Sequence, residues 1–173
     1  KMTSSTKKGN IFVDTINKNI DKKSFEKFKK IDLVYSDFNG STLNNLDFSG
    51  LNLRNSDFNG ATFNNCNFKN THLEYSNFEN ATLNNCTFTN ASLGQANFTN
   101  ATLQNCSFPL SDLNGVNIEG ARLLDVNFAN TGSYKNMKCN GAKVNHNTVW
   151  FYGGKINQQT VHDLGLIWVT NDK

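Results

Sequence analysis

Proline occurs once in this 173-residue sequence, at Pro109, and no run of 18 apolar residues is found in it. The second absence excludes a membrane-spanning helix of ordinary length. Charged residues are scarce, at 18%, and this argues against a disordered polyelectrolyte. Histidine is limited to His72, His146 and His162, none within a metal-ligand spacing of another histidine or a cysteine. The pair Gly153-Gly154 is too short for a phosphate-binding loop. These absences predict no catalytic site, no metal and no cofactor, so the chain is not expected to be an enzyme. The first ten residues, KMTSSTKKGN, lack the apolar core of a signal peptide. Sequons at Asn80, Asn90, Asn100 and Asn105 would crowd glycans together in a eukaryotic secretory pathway. A bacterial cytoplasm is therefore the expected location, with a secreted bacterial effector as the alternative. The length is that of one domain.

What is present is a rhythm. From Leu33 to Phe128 an apolar residue falls at every fifth position, twenty times without a skip. Neither a helix, near 3.6, nor a plain strand, at 2, has that period. Two places before the apolar beat stands another inward candidate, usually small, as at Ser36, Ala61, Cys66 and Thr71, but Leu at 46 and 51. Residues two apart in extended chain point the same way. Each pentad is thus a very short strand with one small and one large side chain inward. The fifth position is usually Asn or Gly, such as Gly40, Asn45 and Gly50; these types enter positive φ at least strain, and a tight corner needs that. Leu and Phe alternate, and Cys66, Cys86 and Cys106 recur at twenty, as do Ala61, Ala81, Ala101 and Ala121. Twenty residues therefore make one four-sided coil. Five coils at ~4.8 Å give a rod of roughly 24 Å, a solenoid in which each coil touches its neighbours alone. Three of the four cysteines fall in inward slots, so buried thiols are expected in place of disulfides.

The runs SDFNG, ATFNNCNF, ATLNNCTF and ASLGQANF resemble the pentapeptide-repeat proteins, over residues 31–130. The resemblance implies an all-β fold, a right-handed quadrilateral β-helix. Most such proteins have no assigned activity. The best-understood branch mimics duplex DNA and binds DNA gyrase, conferring quinolone resistance or immunity to gyrase poisons.

Three regions are expected: a lysine-rich arm and cap over 1–30, the β-helix over 31–130, and an irregular last coil with a C-terminal cap over 131–173. In the first, Ile16 with Ile20 and Phe25 with Phe28 sit at helical spacing, with Asp14 and Ser24 as candidate N-caps. After Asn130 the beat slips by one and continues through Tyr134, Cys139, Val144 and Val149, as if one residue were inserted near Gly132. Trp150, Phe151 and Tyr152 are expected to close the core, and Gln158–Leu164 to form a helix ending at Gly165. Leu166 to Val169 either cover the open end or hold a homodimer together.

Charge is unevenly placed. The first 30 residues carry nine lysines against three acids, and residues 31–130 carry nine acids against three bases. On the face of Leu33 lie Asp32, Glu74, Asp112 and Arg54; on the next, with Phe38, lie Asp37, Asp57, Glu79 and Glu119. The other two faces cancel. These seven acids are the candidate partner-binding residues. A protein partner is expected, a type II topoisomerase being the sharper candidate, with no direct nucleic-acid binding and no membrane. Duplex DNA would present about 14 charges over the same ~24 Å, more than twice the net six here. A general protein-interaction scaffold is the broader reading.

Overall fold

The computed structural model describes residues 19–30 and 32–170. Its backbone is a coil with an eight-stranded parallel sheet along one side, in the order β1 (Asn19–Ile20), β2 (Thr42–Asn44), β3 (Thr62–Asn64), β4 (Thr82–Asn84), β5 (Thr102–Gln104), β6 (Arg122–Leu124), β7 (Lys143–Val144) and β8 (Ile167–Trp168). Helix α1 (Lys22–Phe28) follows β1, and α2 (Gln158–Leu164) precedes β8. Thr42, Thr62, Thr82 and Thr102 are partners in successive rungs, each 20 residues on. Single bridges with the same offset form the other three sides, as in Asp37–Asp57–Asn77–Asn97–Asn117. The fold is the four-sided β-helix that the pentads imply.

The corner recurs for a local reason. At three corners in four the apolar beat residue offers its C=O to the N–H three residues on, as in Leu33 to Ser36 at 3.1 Å and Phe38 to Ser41 at 3.0 Å; the corner after Leu43 and its equivalents is a bend without that bond. The residue before that N–H takes positive φ, from Tyr35 (62°) through Gly40 (66°), Asn45 (55°) and onward at every fifth position to Asn130 (58°). Between corners, N–H and C=O groups bond the coils above and below, as in Phe38 N to Asp57 O at 2.7 Å and Asp57 N to Ser36 O at 2.9 Å. Almost no backbone polarity is left to the core.

Inside, phenylalanines stack in two columns. Phe48, Phe68, Phe88 and Phe108 follow at centroid steps of 4.7, 4.6 and 4.7 Å, nearly parallel, and Phe58, Phe78 and Phe98 form the opposite column at 4.8 and 4.5 Å. Stacking like on like follows from the parallel register, which superposes residues 20 apart. The inward small residues return their polar atoms to carbonyls: Ser36 Oγ to Leu33 O at 2.6 Å, Thr71 Oγ1 to Phe48 O at 2.9 Å, Cys66 Sγ to Leu43 O at 3.2 Å. Ser41 breaks the rule. It heads the column of Ala61, Ala81, Ala101 and Ala121 and is buried, and its hydroxyl meets no partner among the described residues. Ser41→Ala is therefore expected to raise stability by about 1 kcal/mol, read as a shift in the urea midpoint at constant slope.

The ends depart from the sequence expectations. Ile20 is a strand residue, paired with Leu43, and not a helical partner of Ile16, which lies outside the described residues with Asp14. Helix α1 starts after Asp21, so Ser24 falls within it and not at its start. Phe25 is buried edge-on against Phe48 at 4.6 Å and closes the first coil. The insertion near Gly132 is present: Asp112 bridges Ser133, an offset of 21. Tyr134 nevertheless lies 47% exposed, because no further coil covers it there; it stacks on Phe151 at 4.2 Å. A second extra residue follows. Asn127 bridges Val149, an offset of 22, so Val149 takes an outward slot and Trp150 the beat, under Phe128. Buried Asn145 absorbs the excess, its Oδ1 taking the N–H of Asp125 at 3.0 Å and of Thr148 at 3.1 Å. Tyr152 does not close the core; it is exposed, with its hydroxyl near Thr160 Oγ1 at 3.2 Å. Helix α2 has the expected bounds, capped by Asn157 and by left-handed Gly165. Strand β8 then extends the sheet by a rung beside β7 and buries Leu166.

Candidate functional site: the acidic faces and their shared corner

The two acidic faces meet along one corner, the column of Tyr35, Asn55, Tyr75, Gln95 and Gly115. On the Leu33 side the outward residues bridge in the order Asn52, His72, Ser92, Asp112, Ser133; on the Phe38 side they are Asp37, Asp57, Asn77, Asn97, Asn117 and Lys138.

Four of the seven candidate acids have a local task. Asp32, Asp37, Asp57 and Asp112 each accept the backbone N–H two residues on, at 3.1, 2.9, 2.9 and 2.9 Å. Asn77, Asn97 and Asn117 make the same bond at other rungs. Asp and Asn are equivalent for that turn, so it accounts for the slot being polar and leaves the charge unexplained. Asp37 and Asp57 are one rung apart, which stacks like charges. Asp112 Oδ1 also takes the Ser133 hydroxyl at 2.9 Å.

The three glutamates stand nearer the corners. Glu74 is paired: Arg54 Nε lies 3.1 Å from its Oε2 and Arg54 Nη2 3.2 Å from its Oε1. Arg54 Nη2 also reaches His72 Nδ1 at 3.1 Å. That cluster joins one coil, with Arg54, to the next, with His72 and Glu74; it follows once the twenty-residue coil places 54 above 74. Glu79 and Glu119 share a column with Thr99 between them, and Asn117 Nδ2 approaches Glu119 Oε2 at 3.4 Å.

Tyr35 and Tyr75 are the residues the sequence reading passed over. They occupy turn slots at φ of 62° and 60° and are 51% and 64% exposed. Their signal was available, since an aromatic stood where the pattern asks for Asn or Gly.

Elsewhere, neutral amides form ladders. Asn44, Asn64 and Asn84 are linked at 2.8 Å per step, and Asn70 to Asn90 at 2.7 Å. Cys66, Cys86 and Cys106 stack in one buried column as free thiols. Contact with the Cys86 thiol, then burial, holds the Cys66 thiol far above its ordinary range, and Cys86, beside Cys106, is pushed up to about 12. Burial, then the Glu119 charge, raises half-buried Cys139 to about 11. The Cys86 contact lowers Cys106 instead, but the three column thiols are all buried, so the native protein at pH 8 should release almost no fast-reacting thiol to Ellman's reagent, and all four in denaturant. A rapid native stoichiometry of two or more would contradict the interior column. Among the described residues no group of three or more His, Cys, Asp or Glu side chains could hold a metal, and no helix is long and apolar enough to cross a membrane.

A parallel four-sided β-solenoid with pentad corners and two acidic sides defines the class of protein. Comparison with known proteins agrees. A model for a pentapeptide repeat region matches residues 81–160, and one for the SV2A/B/C luminal domain matches residues 18–108. In this chain the two stretches overlap within one unbroken solenoid. No curated protein matches. Similar solved structures include a pentapeptide repeat protein from the Arabidopsis thaliana thylakoid lumen, at 28% identity over 73% of this chain and 75% of that one, TM-score 0.43. A trypsin-treated form of QnrB1, a plasmid-mediated fluoroquinolone resistance protein, is similar at 16% over 87% and 86%, TM-score 0.45. HetL of the cyanobacterium Nostoc sp. strain PCC 7120, involved in heterocyst differentiation regulation, is similar at 15% over 75% and 68%, TM-score 0.33. Residues 81–160 of this chain are thus a pentapeptide repeat region.

Proposed function

We propose that this protein is a non-enzymatic interaction rod that binds a protein partner through the faces of Leu33 and Phe38. The observation that carries this reading is the confinement of the net charge of residues 31–130 to those two adjacent faces, while the opposite face of β2 to β5 presents only threonine and amide columns. Charge arranged in this way steers a partner and fixes its orientation. Ser92 and Thr82 stand half a coil apart on opposite faces, and they supply the test. A photo-crosslinking residue at position 92 should give a discrete protein adduct in extract of the native cells, and one at position 82 should not. Equal labelling from both positions, or none from either, would refute the reading.

Mimicry of DNA toward gyrase or topoisomerase IV is the narrower form of the same proposal. The Asp37–Asp57 column supports it at one end of the rod; the continuation as Asn77, Asn97 and Asn117, and the pairing of Glu74 with Arg54, thin the charge beyond. A homodimer through the C-terminal residues is a companion proposal, supported by exposed Leu164 and Ile167; a monomer by light scattering at high concentration would end it.

A further inference from the structure

Tyr35 and Tyr75 stand in one corner column, two rungs apart, which sets them about 10 Å from each other along the rod. Asn and Gly fill most other corners of this chain, and a bulky side chain at positive φ is disfavoured relative to both. The Tyr75 ring, 64% exposed, gains little burial to offset that. Beside Tyr75, at Gly94, the outer surface lacks one side chain, and the shallow notch there is no more than that missing side chain. A Cβ built on Gly94 would find nothing closer than 3.8 Å, and what it would find is Asp112 Oδ2 at 3.8 Å, the Asn114 carbonyl at 3.8 Å and Glu74 Cγ at 3.9 Å. Asp112 Oδ1 carries the bonds from Asn114 and Ser133, so Oδ2 is the oxygen turned to the notch.

We propose that this ridge docks a basic protein segment, with arginine or lysine side chains over the two tyrosine rings and one cation seated at Gly94 between Glu74 and Asp112. The inference rests on the reading of the acidic faces as a partner surface and names its centre and the chemistry it selects. Tyrosine and arginine dominate interface hot spots, and a cation over a ring adds electrostatic attraction. Nucleic acid is repelled by the carboxylates, and a neutral polysaccharide gains nothing from them.

The test is anisotropy of a labelled arginine-rich peptide at low salt, against an acidic peptide of equal length and a neutral glucan oligosaccharide. The double variant Tyr35→Asn/Tyr75→Asn installs the usual corner residue, so its thermal midpoint should hold or rise while peptide affinity falls by at least about tenfold. Gly94→Lys, at a position without positive φ and with room for a side chain, should fill the notch with a cation and weaken binding similarly. If Glu74→Gln/Asp112→Asn weakens the peptide but the tyrosine and Gly94 variants do not, the acidic faces stand as a partner surface and this inference fails. If the peptide does not bind the wild type, or the acidic peptide or the glucan binds as well, both fail.

Discussion

Replacing Phe68 by alanine is expected to lower the stability of the solenoid by about 3–5 kcal/mol. Its ring lies between Phe48 at 4.7 Å and Phe88 at 4.6 Å, within 5° of parallel to both, with the edge of Phe63 at 5.4 Å. A core can repair such a deletion by letting its walls collapse, and this one cannot. The Phe68 N–H is bonded to Thr87 O at 2.8 Å and the Asn67 N–H to Leu46 O at 3.0 Å, so neighbouring coils are held one rung apart whatever the side chain. The cavity persists, and with it the loss of contact. Phe68→Leu should cost far less, since leucine fills the equivalent slots at Leu73 and Leu83. Coils in a solenoid open locally, so hydrogen exchange should register the change first at amides of residues 46–88 and last near β6. A loss below about 1 kcal/mol in urea unfolding would mean that the stacked column does not hold the rod together.

Glu74→Gln, Glu79→Gln, Asp112→Asn and Glu119→Gln together are expected to abolish most partner binding while leaving the fold in place. The four changes remove four of seven acids and take the two faces from a net −6 to −2. Asn at position 112 can keep the turn bond, because Asn77 and Asn97 make it elsewhere. Glutamine at 74 keeps a hydrogen bond to Arg54 and loses only the charge. Affinity for a basic partner should fall at least about tenfold at low salt, and the gap should close as salt rises, since screening shortens from ~10 Å at 0.1 M to ~3 Å at 1 M. Gyrase supercoiling with and without ciprofloxacin examines the narrower reading with the same variant. A wild type that neither inhibits nor protects gyrase or topoisomerase IV at low salt removes DNA mimicry and leaves the general rod. A variant that binds its partner as tightly as wild type removes the acidic faces from the contact.

The sequence by itself determined the coil. A five-residue period with Asn or Gly at the fifth place states where the chain turns, and a twenty-residue recurrence of Cys66, Cys86 and Cys106 states which residues superpose. Both are local or strictly periodic, so no knowledge of distant contacts was needed. Helix α2 was legible for the same reason, since Gly165 marks its end within the segment. The tertiary structure decided what happens where the period stops. Tyr134 keeps the register and is exposed because the coil that would cover it is absent; Val149 yields its inward place to Trp150 because buried Asn145 takes up one residue. Ile20 became a strand because β2 offered an open edge. The candidate surface was half legible: the acids could be assigned to faces by counting. Tyr35 and Tyr75 could be placed on the shared corner by the same count, whereas the pairing of Glu74 with Arg54 and His72 depends on side-chain conformations that a count along the chain does not contain.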